Sequence, residues 1–454
     1  MPTSRRTFIK SATLVGLPFI ARAEENETGY LKPGDAGYDV GRQLFNFDLS
    51  RKPAYLAKCR SEHEVQLALG FAKAENLAVA MKSGGHCFIG SSVNDGGLTL
   101  DLSGLSQKVY LPEEKKLIAG PGVKLGELYD LLLPHGRLLP AGSCAGVGLG
   151  GLTLGGGYGL FARQYGLTCD HLTRVRMVDG RGKLIDSDED ADLLWACRGG
   201  GNGNFGVVTS MEFKTRPAPA RLGAQRFTAR GLTAAGIVQR MKAWFEIAET
   251  LAEPIFSAIV LNGSQITILL TSSYPSTGRS FQKAAKAILN AGFQSKGASN
   301  SPIARALPRY YGRPSPLPFY NVSGGYYQGV EDLEHCLKTI AESVLENPRL
   351  IFQVNTLGGA IGRGPDSAYP HRSSPFLGEI QAYWHKDRQR KGLISAVKNL
   401  QTEIGADSHY RNYPDADLKN WETNYYGENY PRLQILKEKY DPENLIRHAQ
   451  SVRL

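Results

Sequence analysis

Two glycine-rich stretches each hold one reactive side chain. "MKSGGHCFIGSS" (Met81 to Ser92) carries His86, and "GSCAGVGLGGLTLGGGYG" (Gly142 to Gly159) carries Cys144 near its head. An imidazole and a thiol are the two side chains best suited to forming covalent bonds with an electrophile. Glycine-rich turns also align successive backbone N–H groups into a concavity that takes an anion such as a pyrophosphate. Ser83, Ser91 and Ser92 add hydroxyl groups to the first stretch. Neither stretch is a G-x-G-x-x-G fingerprint, and no acidic residue stands at the ribose distance that a doubly wound dinucleotide fold requires. Taken alone, the first reads better as a tight turn with an incidental histidine, and the cysteine of the second reads better as a small hydrophobe. A third group lies near the end of the chain. "SHYRNYPDAD" offers Tyr410 and Tyr413, and "GEIQAYWHKD" offers Gln381 and Tyr383, two apart and hence on one face of a strand. A phenol titrates near pH 10, so a tyrosine serves as a base only where its surroundings help it lose the proton.

Composition narrows the class. The 454 residues are 42% hydrophobic and 21% charged, which describes a folded protein with more than one core. Many of the 52 glycines fall between Gly84 and Gly206, where backbone must approach something closely. The net charge of +10 is spread, as in "RVRMVDGRGK", and gives no nucleic-acid-binding run. The six cysteines (Cys59, Cys87, Cys144, Cys169, Cys197, Cys336) show no C-x-x-C spacing and no clustered histidines, so no metal site is expected; their pairing is not assigned. The start, "MPTSRRTFIKSATLVGLPFIARAEE", has Arg5-Arg6, a short apolar run from Ala12 to Ile20 and a small-x-small site at Ala21-Arg22-Ala23. This is a twin-arginine export signal over 1–23, implying a periplasmic or extracellular location. No stretch reaches the ~18 apolar residues of a membrane span.

The elements that must position these residues follow from periodicity. Over 24–216, short strands and helices alternate. Ser61 and Glu64 form a capping box ahead of a helix, "LTRVRMVDGRGKLID" is a hairpin turning on Asp179-Gly180, and "GNFGVVTSMEFKTRP" is a strand ending at Pro217. From 217 to 408, amphipathic helices such as "GIVQRMKAWFEIAETLA" alternate with strands such as "SAIVLNGSQITILLTSS", predicting an α+β unit with an antiparallel sheet. Residues 409–454 form a separate closing segment. The aromatics of "PRYYGRPSPLPFYNVSGGYYQG" (Tyr310, Tyr311, Phe319, Tyr320, Tyr326, Tyr327) fit either a sugar-stacking wall or an ordinary core.

Taken together, these motifs resemble the berberine bridge enzyme-like flavoprotein oxidases of the vanillyl-alcohol oxidase group, over nearly the whole chain after the export signal. The resemblance rests on "SGGHCFIGSS", "GSCAGVGLGG", "GGGYGLFARQYGLTCDHL", "WACRGGGNGNFGVVTSMEFKTRP" and "NYYGENYPRLQILKEKYDPENLIRHAQSV". It implies a two-part FAD-binding domain, a substrate domain and a returning C-terminal segment. It also implies an FAD bonded to His86 through the 8α-methyl and to Cys144 through the ring's 6-position. Further FAD contacts fall, by the same resemblance, on Ser83, Gly84, Gly85, Cys87, Gly90 and Ser91. In the second stretch they fall on Val147, Gly148, Gly151, Gly155, Gly156, Gly157, Tyr158 and Gly159. Asn202, Asn204, Gly206, Val207, Val208, Asn412, Tyr426 and Asn429 complete the set. Tyr413 becomes the base, Tyr383 its partner, Gln381 a substrate contact and Tyr410 a member of the same motif.

Three positions depart from or qualify the pattern. Lys82 stands where arginine is common, Cys87 replaces a smaller residue, and Glu379 occupies a place where some plant relatives carry lysine. Val147 is small enough, by family analogy, to leave dioxygen room at the flavin. The implied activity moves a hydride from a CH–OH carbon of a saccharide to the flavin, with dioxygen as acceptor and hydrogen peroxide as product. A secondary-metabolite alcohol oxidase and a dehydrogenase with another acceptor are the alternatives. A flavin-loaded binding protein without turnover is the rival from another class.

Overall fold

A computed structural model describes Gly29 to Leu454; the expected export signal lies outside these residues. The N-terminal part is built on two sheets. In one, Tyr55–Lys58 and Val79–Lys82 lie parallel to Leu98–Asp101 on either side. In the other, the antiparallel strands Lys108–Leu111, Lys116–Ala119, Gly206–Lys214, Leu172–Asp179 and Leu184–Asp186 follow in that order. The helix Glu62–Ala74 begins where Ser61 caps it, the Ser61 hydroxyl accepting from Glu64 N. The reciprocal half of the expected capping box is shifted by one residue, since the Glu64 carboxylate accepts from Arg60 N. The hairpin also turns later than expected. Gly182, at φ 82°, supplies the left-handed residue, and Asp179 folds back to accept from Arg181 N and Lys183 N. The strand from Gly206 stops at Lys214, and Arg216–Pro217 pairs separately with Arg137–Leu138.

Beyond Arg221 the chain builds one seven-stranded, wholly antiparallel sheet. Its order is Gln294–Pro302, Arg221–Ala229, Gln265–Ser272, Ile255–Asn262, Leu350–Thr356, Phe376–Tyr383, Phe319–Tyr327. Strand alternation sorts its residues onto two faces. Ile259, Leu261, Ile266, Ile268, Phe352, Val354, Ile380 and Ala382 face the helices and form one core with Ile237, Met241, Trp244 and Phe245 of the helix Ala234–Glu249. The opposite face carries Ala258, Leu269, Ile351, Gln353, Asn355, Glu379, Gln381 and Tyr383 and is left open as the floor of a cavity. The long helices of this part therefore pack on the face opposite the cavity. Tyr327 joins the core, and Tyr326 is buried in a smaller cluster with Tyr369 and Tyr410. Tyr310 and Phe319, by contrast, stand on the cavity wall. No helix among the described residues is long and apolar enough to cross a membrane.

The last segment returns to the N-terminal sheets. Trp421, Tyr425, Tyr426, Leu433 and Tyr440 pack with Trp195, Phe205 and Phe213, and Ile446 bridges to Val79. A fully buried ion pair pins this return. Lys437 Nζ donates to Asp441 Oδ2 (2.5 Å), Asn204 O (2.8 Å) and Ile446 O (2.6 Å), while Asp441 accepts from Leu445 N and Ile446 N. Gly180 lies hard against the Asp441 carboxylate, so a side chain there would collide with it. Removing one member of a buried pair strands the other charge, at about 3–5 kcal/mol. Lys437→Met is therefore expected to lower the unfolding free energy by about that amount, while Lys437→Met with Asp441→Asn, which removes the stranded charge and keeps an acceptor for the backbone, recovers part of it. Urea denaturation of the three proteins measures both.

Candidate active site

A cavity of about 900 Å³ lies between the two glycine-rich stretches and the open face of the large sheet. That is the upper end of the range for small-molecule sites, about 300–1,000 Å³. The stretches meet backbone to backbone. A Cβ on Gly84 would collide with Gly148 N, and one on Gly148 would collide with Ser83 Oγ and Gly84 N. Glycine is required here by contact rather than by turn geometry. Gly85, at φ 70°, then swings the chain so that the His86 ring stacks on Phe45, centroids 4.0 Å apart. Burial, with the Lys124 charge behind it, lowers the His86 pKa to about 4, partly opposed by a backbone hydrogen bond to Gly146. The imidazole is thus neutral near pH 7, with a ring nitrogen lone pair available as a nucleophile. Cys144 opens onto the same cavity. Its surroundings still desolvate the thiol and raise its pKa, the Glu379 charge adding to this. Gly312, at φ 72°, lies close against Cys144 Sγ, where the left-handed backbone favours glycine. All six cysteines are free thiols.

The cavity fits an FAD by its own chemistry. A Cβ on Gly151 would meet no protein atom within 4 Å and would project into the cavity it lines. Asn202 donates to Asn412 Oδ1 (2.8 Å) and Gly151 O (3.2 Å), and its buried Oδ1 has no protein partner. Ser83, Gly84, Gly85, His86, Cys87, Ser91, Cys144, Val147, Gly148, Gly151, Tyr158, Gly159, Asn202, Gly206, Val208 and Asn412 form the wall. Ser83, expected as a phosphate donor, spends its proton on Pro121 O at 2.5 Å.

The other eight expected residues are tied into the protein around the cavity. Gly90 packs on Leu44 and Leu49, Gly155 on the Asn412 amide, Gly156 on Tyr369, and Gly157 on Thr168. Asn204 donates to Gly200 O and its Oδ1 accepts from Val452 N, tying in the chain end. Val207 sits in the core between the two N-terminal sheets. Tyr426 accepts from Arg411 Nε, and Asn429 donates to Ser367 O and Ala368 O.

The tyrosines are rearranged relative to expectation. Tyr413 Oη shares a 2.5 Å hydrogen bond with Tyr158 Oη, and its ring stacks on Phe88 at 5.3 Å. Tyr383 does not pair with Tyr413. Its hydroxyl accepts from Asn321 Nδ2 (2.9 Å) and donates to Gln381 Oε1 (3.0 Å). Tyr410 accepts from Gly157 N (2.9 Å) and Asn412 Nδ2 (3.1 Å), so it braces the glycine turn. Burial pushes both Tyr413 and Tyr158 well above the ordinary tyrosine range, with the Glu379 charge next in effect. Glu379 is the acid of this cluster. It is 6% exposed, and desolvation raises its carboxyl to about 8, hydrogen bonding with Tyr413 and Gln381 offsetting part of the rise. Sequence reading marked Glu379 only as a departure from relatives. It also passed over Phe45, Phe88, Asn321, Gln353 and Asn355, which all line the cavity. Period-two alternation in "LIFQVNT" would have placed Gln353 and Asn355 on one face.

Residues 53–188 match the FAD binding domain family, and residues 409–453 match the berberine and berberine like family. The chain is 30% identical to YgaK, an uncharacterized FAD-linked oxidoreductase of Bacillus subtilis, over 92% of this chain and 95% of that protein. It is 28% identical to an aclacinomycin-N/aclacinomycin-A oxidase of Streptomyces galilaeus, covering 91% of this chain and 88% of the other. A carbohydrate oxidase from Microdochium nivale, solved in complex with a substrate analogue, superposes with a TM-score of 0.85. That alignment covers 93% of this chain and 97% of the other at 24% identity, a likeness of fold.

The contact between the glycine stretches yields a direct test. Gly148→Ala is expected to destabilise the protein by about 1–3 kcal/mol, as other overpacked sites do. It is also expected to yield protein with a reduced ratio of 450 nm to 280 nm absorbance, because the wall between His86 and Cys144 is forced apart. Gly151→Ala, which meets no protein atom and lies within the helix Leu149–Leu154, should keep or slightly raise the stability of the flavin-free protein while lowering flavin content.

Proposed function

Because the chain belongs to the berberine bridge enzyme-like family of FAD-linked oxidoreductases, we propose that it oxidises a CH–OH carbon of a saccharide or related alcohol on an FAD bonded to both His86 and Cys144. The observation that carries this reading is that a neutral imidazole and a thiol open onto one cavity whose facing floor bears an acid–tyrosine cluster. Bound FAD supplies the hydride acceptor; the chain supplies position and proton transfer. Neither Tyr413 nor Tyr158 ionises near neutral pH, whereas Glu379 titrates near 8. The substrate hydroxyl proton passes to Tyr413 Oη as the Tyr413 proton passes to the Glu379 carboxylate. This places the base near its operating pH, where general base catalysis is most effective. Gln381 and Asn321, held by Tyr383, present amides to the substrate. A polar floor of this kind favours a saccharide, and the fold is one that also serves a carbohydrate oxidase. Val147 on the cavity wall favours dioxygen as the acceptor. The twin-arginine motif favours export, which cell fractionation would test.

Acid precipitation tests the cofactor linkage. The purified protein is expected to keep its yellow colour in the pellet, with FAD mass on the peptides containing His86 and Cys144. Either His86→Ala or Cys144→Ala should leave one bond, and the double variant should release the colour to the supernatant. Colour lost from the unaltered protein would remove the bicovalent assignment.

Kinetics test the proton route. Tyr413→Phe is expected to slow anaerobic flavin reduction by about 10²–10⁴. Because Glu379 is neutral below about pH 8 and anionic above it, kcat/KM should rise with pH through about 8, and Glu379→Gln should flatten that limb. The same shift has a stability consequence of definite sign. An unfolded glutamate ionises near 4.5, so the protein should lose stability relative to Glu379→Gln between pH 4.5 and about 8, and the difference should level off beyond.

A further inference from the structure

One buried cation in the cavity wall has no counter-charge. Of the three arginines that line the cavity, Arg313 and Arg349 are exposed, and only Arg411 is buried, at 5% exposure. It stands between Tyr410, which braces the glycine turn, and Asn412, which accepts from Asn202. Arg411 Nε donates to Tyr426 Oη (3.0 Å), and the guanidinium lies over the Tyr425 ring at 5.3 Å. Among the described residues, no hydrogen bond or ion pair engages its two terminal nitrogens. The groups that act most on its charge are Tyr426, Tyr425 and Cys87, two phenols and a thiol in the place of a carboxylate. Taking a charge out of water without a partner is costly. A buried guanidinium in this state implies an anion that comes from outside the chain.

The surroundings of Arg411 say which anion. Cys87 continues the turn of Gly84, Gly85 and His86, and it lines the cavity with Ser91 and Ser92. His448 also lies beside the guanidinium. Its Nδ1 accepts from Gln450 N (3.2 Å), so Nε2 carries the proton and donates to Asn202 O (3.3 Å). Burial, and then the Arg411 charge, lowers His448 to about 3, so near pH 7 it is neutral and leaves Arg411 as the cation of this spot. A Cβ on Gly203 would touch both His448 and the Met81 side chain. That links the spot to a stretch of wall formed by Val79, Ala80, Met81 and Leu102. Arg411 thus belongs between the His86 turn and an apolar end suited to a flat base. Glu379, the one acid on the cavity wall, stands on the large sheet with the tyrosines and forms no ion pair with Arg411. The oxidised ring system of FAD and its adenine carry no charge, and the negative charge of the cofactor sits on the diphosphate that joins its halves.

We propose that Arg411 is the cation that captures the cofactor: its guanidinium pairs with the FAD diphosphate and selects FAD over flavins that lack one, independently of the bonds to His86 and Cys144. This rests on the FAD reading above. Arg411 takes no part in hydride or proton transfer; it is a binding residue.

The test uses His86→Ala/Cys144→Ala, in which a flavin binds only reversibly, as the parent for Arg411→Met and Arg411→Lys. Each flavin-free protein is titrated calorimetrically with FAD, with riboflavin and with ADP, which carries the diphosphate without the flavin. Arg411→Met is expected to weaken FAD and ADP binding each by about tenfold or more, as loss of a charged hydrogen bond does, with riboflavin changed less than about twofold. Arg411→Lys should recover part of the loss. Because methionine replaces an unpaired buried charge, flavin-free Arg411→Met should melt no lower than its parent, which a role in packing alone would not give. Equal losses for FAD and riboflavin, or unchanged ADP binding, would overturn the assignment. If the folded parent binds no flavin, the cofactor reading fails separately and ADP alone decides. Binding of ADP that is lost in Arg411→Met supports the site, and no binding of ADP overturns it. Should the double variant not fold, the flavin content of otherwise unaltered protein decides instead. Content reduced severalfold in Arg411→Met and partly restored in Arg411→Lys supports the assignment, and unchanged content overturns it.

Discussion

The close approach of Gly84 to Gly148 is the contact on which the site depends. Each glycine occupies space that a Cβ on the other would need, so the two loops lock at the backbone and bring His86 and Cys144 to one cavity. Backbone contact of this kind tolerates no side-chain adjustment, in contrast to a packed interface of flexible residues. It also explains why the loops keep so little side-chain bulk around two reactive groups. His86 stays neutral because the packing that holds it, against Phe45 and near Lys124, penalises its charged form.

The second constraint is that the large sheet has one dry face and one wet face. Alternation puts the aliphatic residues of each strand against the helices and the intervening residues into the cavity. The core that stabilises the C-terminal half therefore presents Glu379, Gln381 and Tyr383 in one row with no dedicated loop. Sites built on strands in this way hold side chains more precisely than loop sites do. The hydrogen bonds from Asn321 through Tyr383 to Gln381 are a consequence of the same register.

The remaining piece, Tyr413, comes from a segment that crosses back to the N-terminal sheets. Its place is secured at both ends. Tyr410 accepts from Gly157 and Asn412 from Asn202 near the glycine stretch, and the Lys437–Asp441 pair fixes the far end. The acid–tyrosine cluster thus exists only when three separated stretches of chain, around residues 158, 379 and 413, are assembled together.

Much was legible in the linear chain. Period-two alternation marked the antiparallel sheet, Ser61 marked a helix start, and the glycine stretches marked the loops with His86 and Cys144. These are local properties, set by neighbours in sequence. What the linear order could not show was partnership. Tyr383 and Tyr413 lie only thirty residues apart and were expected to pair, yet the register sends Tyr383 to Asn321, and Tyr413 meets Tyr158 from far upstream. The reactive residue types and the strand pattern were determined by the sequence by itself. The pairing of phenols, the raised carboxyl of Glu379 and the unpaired guanidinium of Arg411 were decided only by tertiary structure, since burial and hydrogen-bond direction arise from contacts between distant parts of the chain.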